Sequence, residues 1–234
     1  VLHRTVLSSL EGKANNVEEL FTAYYGARPY RPEMYEQDIL GALIATILSQ
    51  HTSDLNSGRA YLSLKAAFPN DWTAVCAAPV SEVADVLRSG GLADVKAARI
   101  QRIIREVMER TGAASLDFLR SWRDEQAIIE FLKSFHGVGP KTAACISMFN
   151  LGRPVIPVDT HVHRVASRLG LIGLRVSADQ AHEDLLKLVK RDDAYSFHVH
   201  LIEHGRTICR ARNPGCSKCP AANFCDFYAT KSLC

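Results

Sequence analysis

Apolar positions along this chain recur with a helical period, and no run alternates convincingly with the period of two expected of a half-buried strand. Ile39, Leu40, Leu43, Ile44, Ile47 and Leu48 make a broad stripe that predicts a helix with one face in a core. Val83, Val86 and Leu87 form a shorter stripe, closed by Gly90-Gly91. Ile100, Ile103, Ile104, Val107 and Met108 repeat the pattern as far as Thr111-Gly112, a C-terminal stop. Ile128, Phe131, Leu132 and Phe135 follow and end at Gly137. Ser177, with Gln180 three residues on, has capping-box spacing and predicts a helix running through Val189. Many helices of modest length joined by short Gly, Pro and Asn turns predict an all-α fold. The Pro-rich stretch Arg153-Pro154-Val155-Ile156-Pro157 is the expected crossing between two domains.

Length and composition narrow the setting more than the function. A chain of 234 residues can bury one large core or two small ones. The longest strongly apolar run, Ile39 to Leu48, is well short of the roughly 20 residues a membrane span needs. Residues 1–30 lack the pattern of a secretory signal, and the initial Val leaves open whether the gene begins there. An intracellular place, cytoplasmic or nucleoid, is expected. The net charge of +3 says little, but its distribution says more. Arg206, Arg210, Arg212 and Lys218 lie between Gly205 and Pro220 with no acidic residue among them, a local stripe suited to phosphates.

The stretch Phe135-His136-Gly137-Val138-Gly139-Pro140-Lys141-Thr142 follows one amphipathic helix and opens another. Pro140 suits the first helical position, where its missing N–H costs nothing. Gly137 and Gly139 around Val138 allow a tight turn and expose backbone amides that can cradle a phosphate oxygen. Such a contact reads the nucleic-acid backbone and not its sequence. A plain packing corner between two helices has the same local pattern. Lys141 adds to it, because a cation in the first turn of a helix is opposed by the dipole. An amine kept there can serve uncharged as a nucleophile, or charged as a phosphate ligand. An ordinary lysine is neutral in only about one molecule in a few thousand at pH 7, so the first use needs a special environment.

Cys209, Cys216, Cys219 and Cys225 are separated by six, two and five residues, whereas Cys76 and Cys145 lie in apolar helical stretches and Cys234 is the last residue. Four thiolates so close can hold zinc or an iron–sulfur cluster. The single Cys-x-x-Cys knuckle leans towards iron–sulfur, since zinc sites more often pair two.

Four segments together resemble the endonuclease III family, in matching order. They are Leu48-Ser49-Gln50-His51-Thr52-Ser53-Asp54, Gly91-Leu92 with Lys96-Ala97, Gly137-Val138-Gly139-Pro140-Lys141-Thr142-Ala143, and Val158-Asp159-Thr160-His161. The resemblance runs from about residue 35 to residue 228. It implies a helix-hairpin-helix fold of two all-α lobes with a DNA groove between them. One lobe would be a six-helix barrel over residues 33–153, and the other, residues 1–32 with 154–234, would hold a [4Fe–4S] cluster on the four cysteines. It implies a bifunctional DNA glycosylase and abasic-site lyase, with Lys141 as nucleophile and Asp159 assisting it across the groove. Asp159 also precedes the apolar positions Val162, Val165, Ala166 and Leu169, as a helix N-cap would. The partner would be double-stranded DNA with a damaged base or abasic site, bound by a monomer. Oxidised pyrimidines are the expected target. A mismatched uracil or thymine, an oxidised purine, or non-catalytic DNA binding are the alternatives.

By the same resemblance the DNA contacts are Gln50, His51, Leu92, Gly137, Val138, Gly139 and His161, with Arg210 and Arg212 from the basic stripe. The chain departs from the family at two of the residues that would fill the gap left by a flipped base. His51 stands where a glutamine is usual, with Gln50 one place earlier, and Ala93 follows Leu92 where an aromatic residue is common. Gln50 and His51 could also simply end the preceding helix. These departures weaken any carry-over of base preference.

Overall fold

The structure, a computed structural model, describes residues 2–69 and 71–231, with side chains from residue 9 onward; Cys234 lies outside that range. Its α-helices in chain order are α1 (Leu2–Tyr25), α2 (Ile39–Leu48), α3 (Asp54–Ala67), α4 (Trp72–Ala77), α5 (Val80–Val86), α6 (Ala93–Thr111), α7 (Glu125–Lys133), α8 (Pro140–Cys145), α9 (Thr160–Leu169), α10 (Ala178–Leu188), α11 (Ala194–Thr207) and α12 (Asp226–Lys231). Among the described residues there is no strand. Among the described residues no helix is long and apolar enough to cross a membrane. The chain divides into two compact units, Pro32–Leu151 and Val1–Arg31 with Gly152–Cys234.

In the Pro32–Leu151 unit α2 is the centre, with eight of its ten residues buried. It packs on α3, α6 and α8. Each Leu or Ile removed from water there contributes roughly 1.5–3 kcal/mol, far more than local helix preference could. Asp38 fixes where α2 starts. Its Oδ1 accepts from the Leu40 amide at 3.0 Å, and its Oδ2 accepts from the Trp72 indole N–H, which ties α4 to the same point. Gly41 makes room for this junction, since a Cβ there would come within 2.7 Å of the Tyr61 hydroxyl. The stripe ending at Phe135 is only partly helical. α7 stops at Lys133, and Phe135 reaches the core through a turn in which its amide donates to the Leu132 carbonyl. α8 continues into a π-helical turn, Ile146–Asn150.

The other unit is built on α1, α9, α10 and α11 around Val17, Phe21, Val165, Leu185, Phe197 and Leu201. Ser177 caps α10 by accepting from the Gln180 amide at 3.2 Å. The Gln180 side chain, however, turns to Asp184, so only half of the expected box forms, and the helix ends at Leu188 instead of Val189. α9 and α11 approach closely because Gly205 has no side chain; a Cβ there would lie 2.9 Å from that of His161.

Candidate active site and cysteine loop

In the Pro32–Leu151 unit three segments meet α6. The first is the hairpin. Gly137 adopts φ +78°, a left-handed conformation that costs other residues about 1–2 kcal/mol. Gly139 is extended and Pro140 takes the first helical position. Val138 turns inward and is buried, and its amide is spent on the Phe135 carbonyl at 3.1 Å. The amides of Gly137 and Gly139 make no backbone hydrogen bond among the described residues, so these two glycines are the hairpin's free donors. Lys141 is exposed one residue further on, and no ion pair or hydrogen bond engages its ammonium among the described residues.

The second segment is the α2–α3 turn. Ser49 already closes α2, so Gln50 and His51 lie beyond its end. His51 is exposed at φ +56°. Gln50 is half-buried, and its Oε1 accepts from Arg99 Nη1 at 2.9 Å. The third segment is the approach to α6, where Gly91 and Leu92 are consecutive left-handed residues, with φ +67° and +51°. Leu92 is 58% exposed. The strained backbone of Leu92 thus holds an apolar side chain in water.

Lys96 explains how the last two segments hold their shape. It is 4% exposed, and its ammonium donates to the Leu48 carbonyl at 2.7 Å and the Gly90 carbonyl at 2.9 Å. Burial, and secondarily the nearby Arg99 cation, pull its pKa below the ordinary lysine value. One turn later, the Arg99 side chain passes beneath Gly137, where a Cβ would meet its Nε at 2.9 Å. Sequence reasoning marked Lys96 only as part of a motif and missed Arg99, whose partners lie far away along the chain.

In the other unit Asp159 is the N-cap of α9. Its Oδ1 accepts from the amides of His161 and Val162, both at 2.8 Å. No hydrogen bond occupies its Oδ2 among the described residues. Arg164 donates from Nη2 to His161 Nδ1 at 3.1 Å, so that nitrogen is the unprotonated one and Nε2 carries the proton.

The four cysteines of the C-terminal loop line one apolar cavity, together with Val165, Leu169 and Pro214. Burial and the neighbouring thiols push the free Cys219 thiol up to about 11, and burial raises Cys225 as well. Among the described residues no three His, Cys, Asp or Glu side chains form a group that could hold a metal ion. The thiols surround a space and share no acidic neighbour in its lining, a donor set chemically suited to a sulfide-bridged cluster. The loop itself is gripped from α9. Arg168 donates to Cys209 Sγ at 3.4 Å and to the carbonyls of Arg210 and Ala211 at 2.7 and 3.1 Å, and Arg164 holds the Cys209 carbonyl at 3.0 Å. Arg206, Arg210, Arg212 and Lys218 stay exposed. The i, i+4 spacing of Arg164 and Arg168 was a sequence signal for this grip that went unread.

The sequence pattern of the HhH-GPD superfamily of base excision DNA repair proteins matches residues 44–191, and the chain belongs to this family. Within it the chain is an endonuclease III-like enzyme of the DNA glycosylase/AP lyase class. Endonuclease III of Thermotoga maritima is 34% identical over 193 residues, covering 82% of this chain and 85% of that protein. The fold matches that of a solved non-covalent endonuclease III–DNA complex with a TM-score of 0.77, at 24% identity over 96% of this chain and 99% of the other. A thermostable thymine-DNA glycosylase matches at 0.73, with 21% identity over 94% and 98%.

Proposed function

We propose that this enzyme removes oxidised pyrimidines from double-stranded DNA and then cleaves the strand through a lysine Schiff base. The observation that carries the reading is an exposed amine, Lys141, one residue past a hairpin whose two glycines offer unpaired amides. The amides bind a phosphate and so hold the strand beside the amine. The target nucleotide leaves the stack, because its reacting atom is unreachable inside the duplex. Leu92 and the Gln50-His51 turn fill the gap, a part suited to Leu92 and His51, which are exposed on left-handed backbone.

Lys141 Nζ attacks the anomeric carbon, the bond to the base breaks, and its electron pair leaves with the base. The Asp159 oxygen left free by capping stabilises the positive charge that develops on the sugar and takes the amine's proton. Ring opening gives the imine. Loss of a C2′ proton expels the 3′ phosphate, and water releases the enzyme from the imine. The four thiolates would hold a [4Fe–4S] cluster, which when bound cross-links the loop carrying Arg210 and Arg212 and leaves those cations to contact phosphates.

Borohydride trapping tests the reading. A duplex with an oxidised pyrimidine should give a covalent adduct with the wild type and none with Lys141→Ala. Strand scission that survives the substitution would overturn it. A panel of duplexes carrying oxidised pyrimidines, mismatched thymine or uracil, and oxidised purines tests the substrate. Stronger excision of either of the latter would reassign it.

A further inference from the structure

We infer that Arg99 is a positioning residue that couples the hairpin to the turn that enters the duplex; the inference rests on the function proposed above. Its guanidinium does two things at once. Nη1 donates to Gln50 Oε1 at 2.9 Å, while Nε and Cδ lie against Gly137, 2.9 and 3.0 Å from where a Cβ would be. These partners are 49 and 38 positions away along the chain. The bond to Arg99 also orients the Gln50 amide, because guanidinium only donates. Oε1 must face inward, and the amide N–H₂ faces away from Arg99.

Lys96, one helical turn earlier, sets the base of the same turn through the Leu48 carbonyl and joins it to the Gly90 carbonyl before Leu92. The first two turns of α6 thus hold three separate segments at one place. Lys96 is buried and works through backbone, so it fixes where the turns lie. Arg99 is half-buried and works through a side chain, so it can transmit a load. A phosphate seated on the Gly137 and Gly139 amides presses on the segment that Arg99 lies under, and Gln50 is held by the other end of the same rigid plane. Gripping the backbone and bracing the His51 turn are therefore one event.

The test uses Arg99→Met, which keeps an apolar stem under Gly137 and loses every donor, with Gln50→Leu and the double variant. Three readouts are taken: melting temperature, affinity for undamaged duplex across a salt series, and single-turnover cleavage. Cleavage is measured on a duplex lesion and on single-stranded abasic DNA, where no base has to be flipped. For Arg99→Met the expected result is an unchanged melting temperature and salt slope, unchanged cleavage of the single strand, and a loss of about tenfold on the duplex lesion, the scale of one charge-assisted hydrogen bond. The double variant should be no worse than either single one. Arg99→Lys should recover part of the loss. A salt slope reduced by about one makes Arg99 a phosphate contact instead and overturns the inference. So does an equal loss on both substrates, or additive losses in the double variant. A wild type that cannot cleave single-stranded abasic DNA or be trapped on it would instead sink the proposed lyase reading.

Discussion

Glu18 and His200 form a buried ion pair between α1 and α11. The imidazole Nδ1 lies 3.0 Å from Glu18 Oε2, and Nε2 lies 3.0 Å from the Gly26 carbonyl. Both ring nitrogens face acceptors, so both carry protons and His200 is an imidazolium. Burial alone would lower its pKa, but the Glu18 carboxylate and the Gly26 carbonyl outweigh it, and the value is raised despite the opposing Arg28 cation.

Stability should therefore fall as the solution becomes alkaline. The folded chain binds this proton more tightly than the unfolded chain does. Its contribution is complete below the ordinary histidine value, about 6.5, and is lost as pH rises through the higher folded value. Thermal melts from pH 6 upward should show that loss in the wild type, and the paired variant Glu18→Gln with His200→Gln should flatten it. His200→Ala alone leaves a buried carboxylate without its partner and should cost about 3–5 kcal/mol. A wild type whose melting temperature rises from pH 6 to 8 would contradict the assignment.

Lys96→Met should be destabilising with little change of shape. It leaves the Leu48 and Gly90 carbonyls unpaired, at about 1–3 kcal/mol each, and recovers part of that by removing a buried charge. A net loss of about 2 kcal/mol in urea titration is expected. A neutral result would show that water takes over both carbonyls.

The same residues show how far the sequence could be read. α2 was legible because one face of a long apolar period is the local image of a buried helix. α1 was not, since Glu18 sits among its buried positions and faces the Ser196 and His200 partners of another helix. α3 buries only Ser57, Ala60 and Leu64, which makes no visible stripe. The hairpin, the cap before α9 and the cysteine spacing are short-range patterns and could be seen from the chain alone. Lys96 and Arg99 act on carbonyls, a glutamine and a glycine that only folding brings near. Their pattern along α6 looks like an ordinary charged face. Even Phe135, correctly an apolar core position, gave the wrong helix end, because burial continued after the hydrogen-bond ladder had stopped.

Leu92 offers a separation of stability from function. Its backbone is left-handed, which Asn tolerates better than Leu, and most of its side chain is in water. Leu92→Asn should keep the melting free energy within about 1 kcal/mol of the wild type. Excision from duplex DNA should nevertheless drop by about tenfold, because a polar side chain stacks poorly in the space of an extruded base. Comparable excision by the variant would remove Leu92 from the wedge.

The proposed mechanism gives Asp159 a second role beside its helix cap, and Asp159→Asn should divide the two. Asn is as good an N-cap as Asp, and its carbonyl oxygen can take over the bonds that Oδ1 receives from His161 and Val162. The loss to stability should stay below about 1 kcal/mol. The charge is gone, however, and with it both the stabilisation of a cationic sugar and the acceptor for a proton, terms each worth about 10²–10³ in rate. Single-turnover excision should therefore collapse in a protein that melts like the wild type. Asp159→Ala should lose both, adding about 1 kcal/mol of instability to the same catalytic defect. If Asp159→Asn excises bases at the wild-type rate while Asp159→Ala only unfolds more easily, the carboxylate is a cap and nothing more.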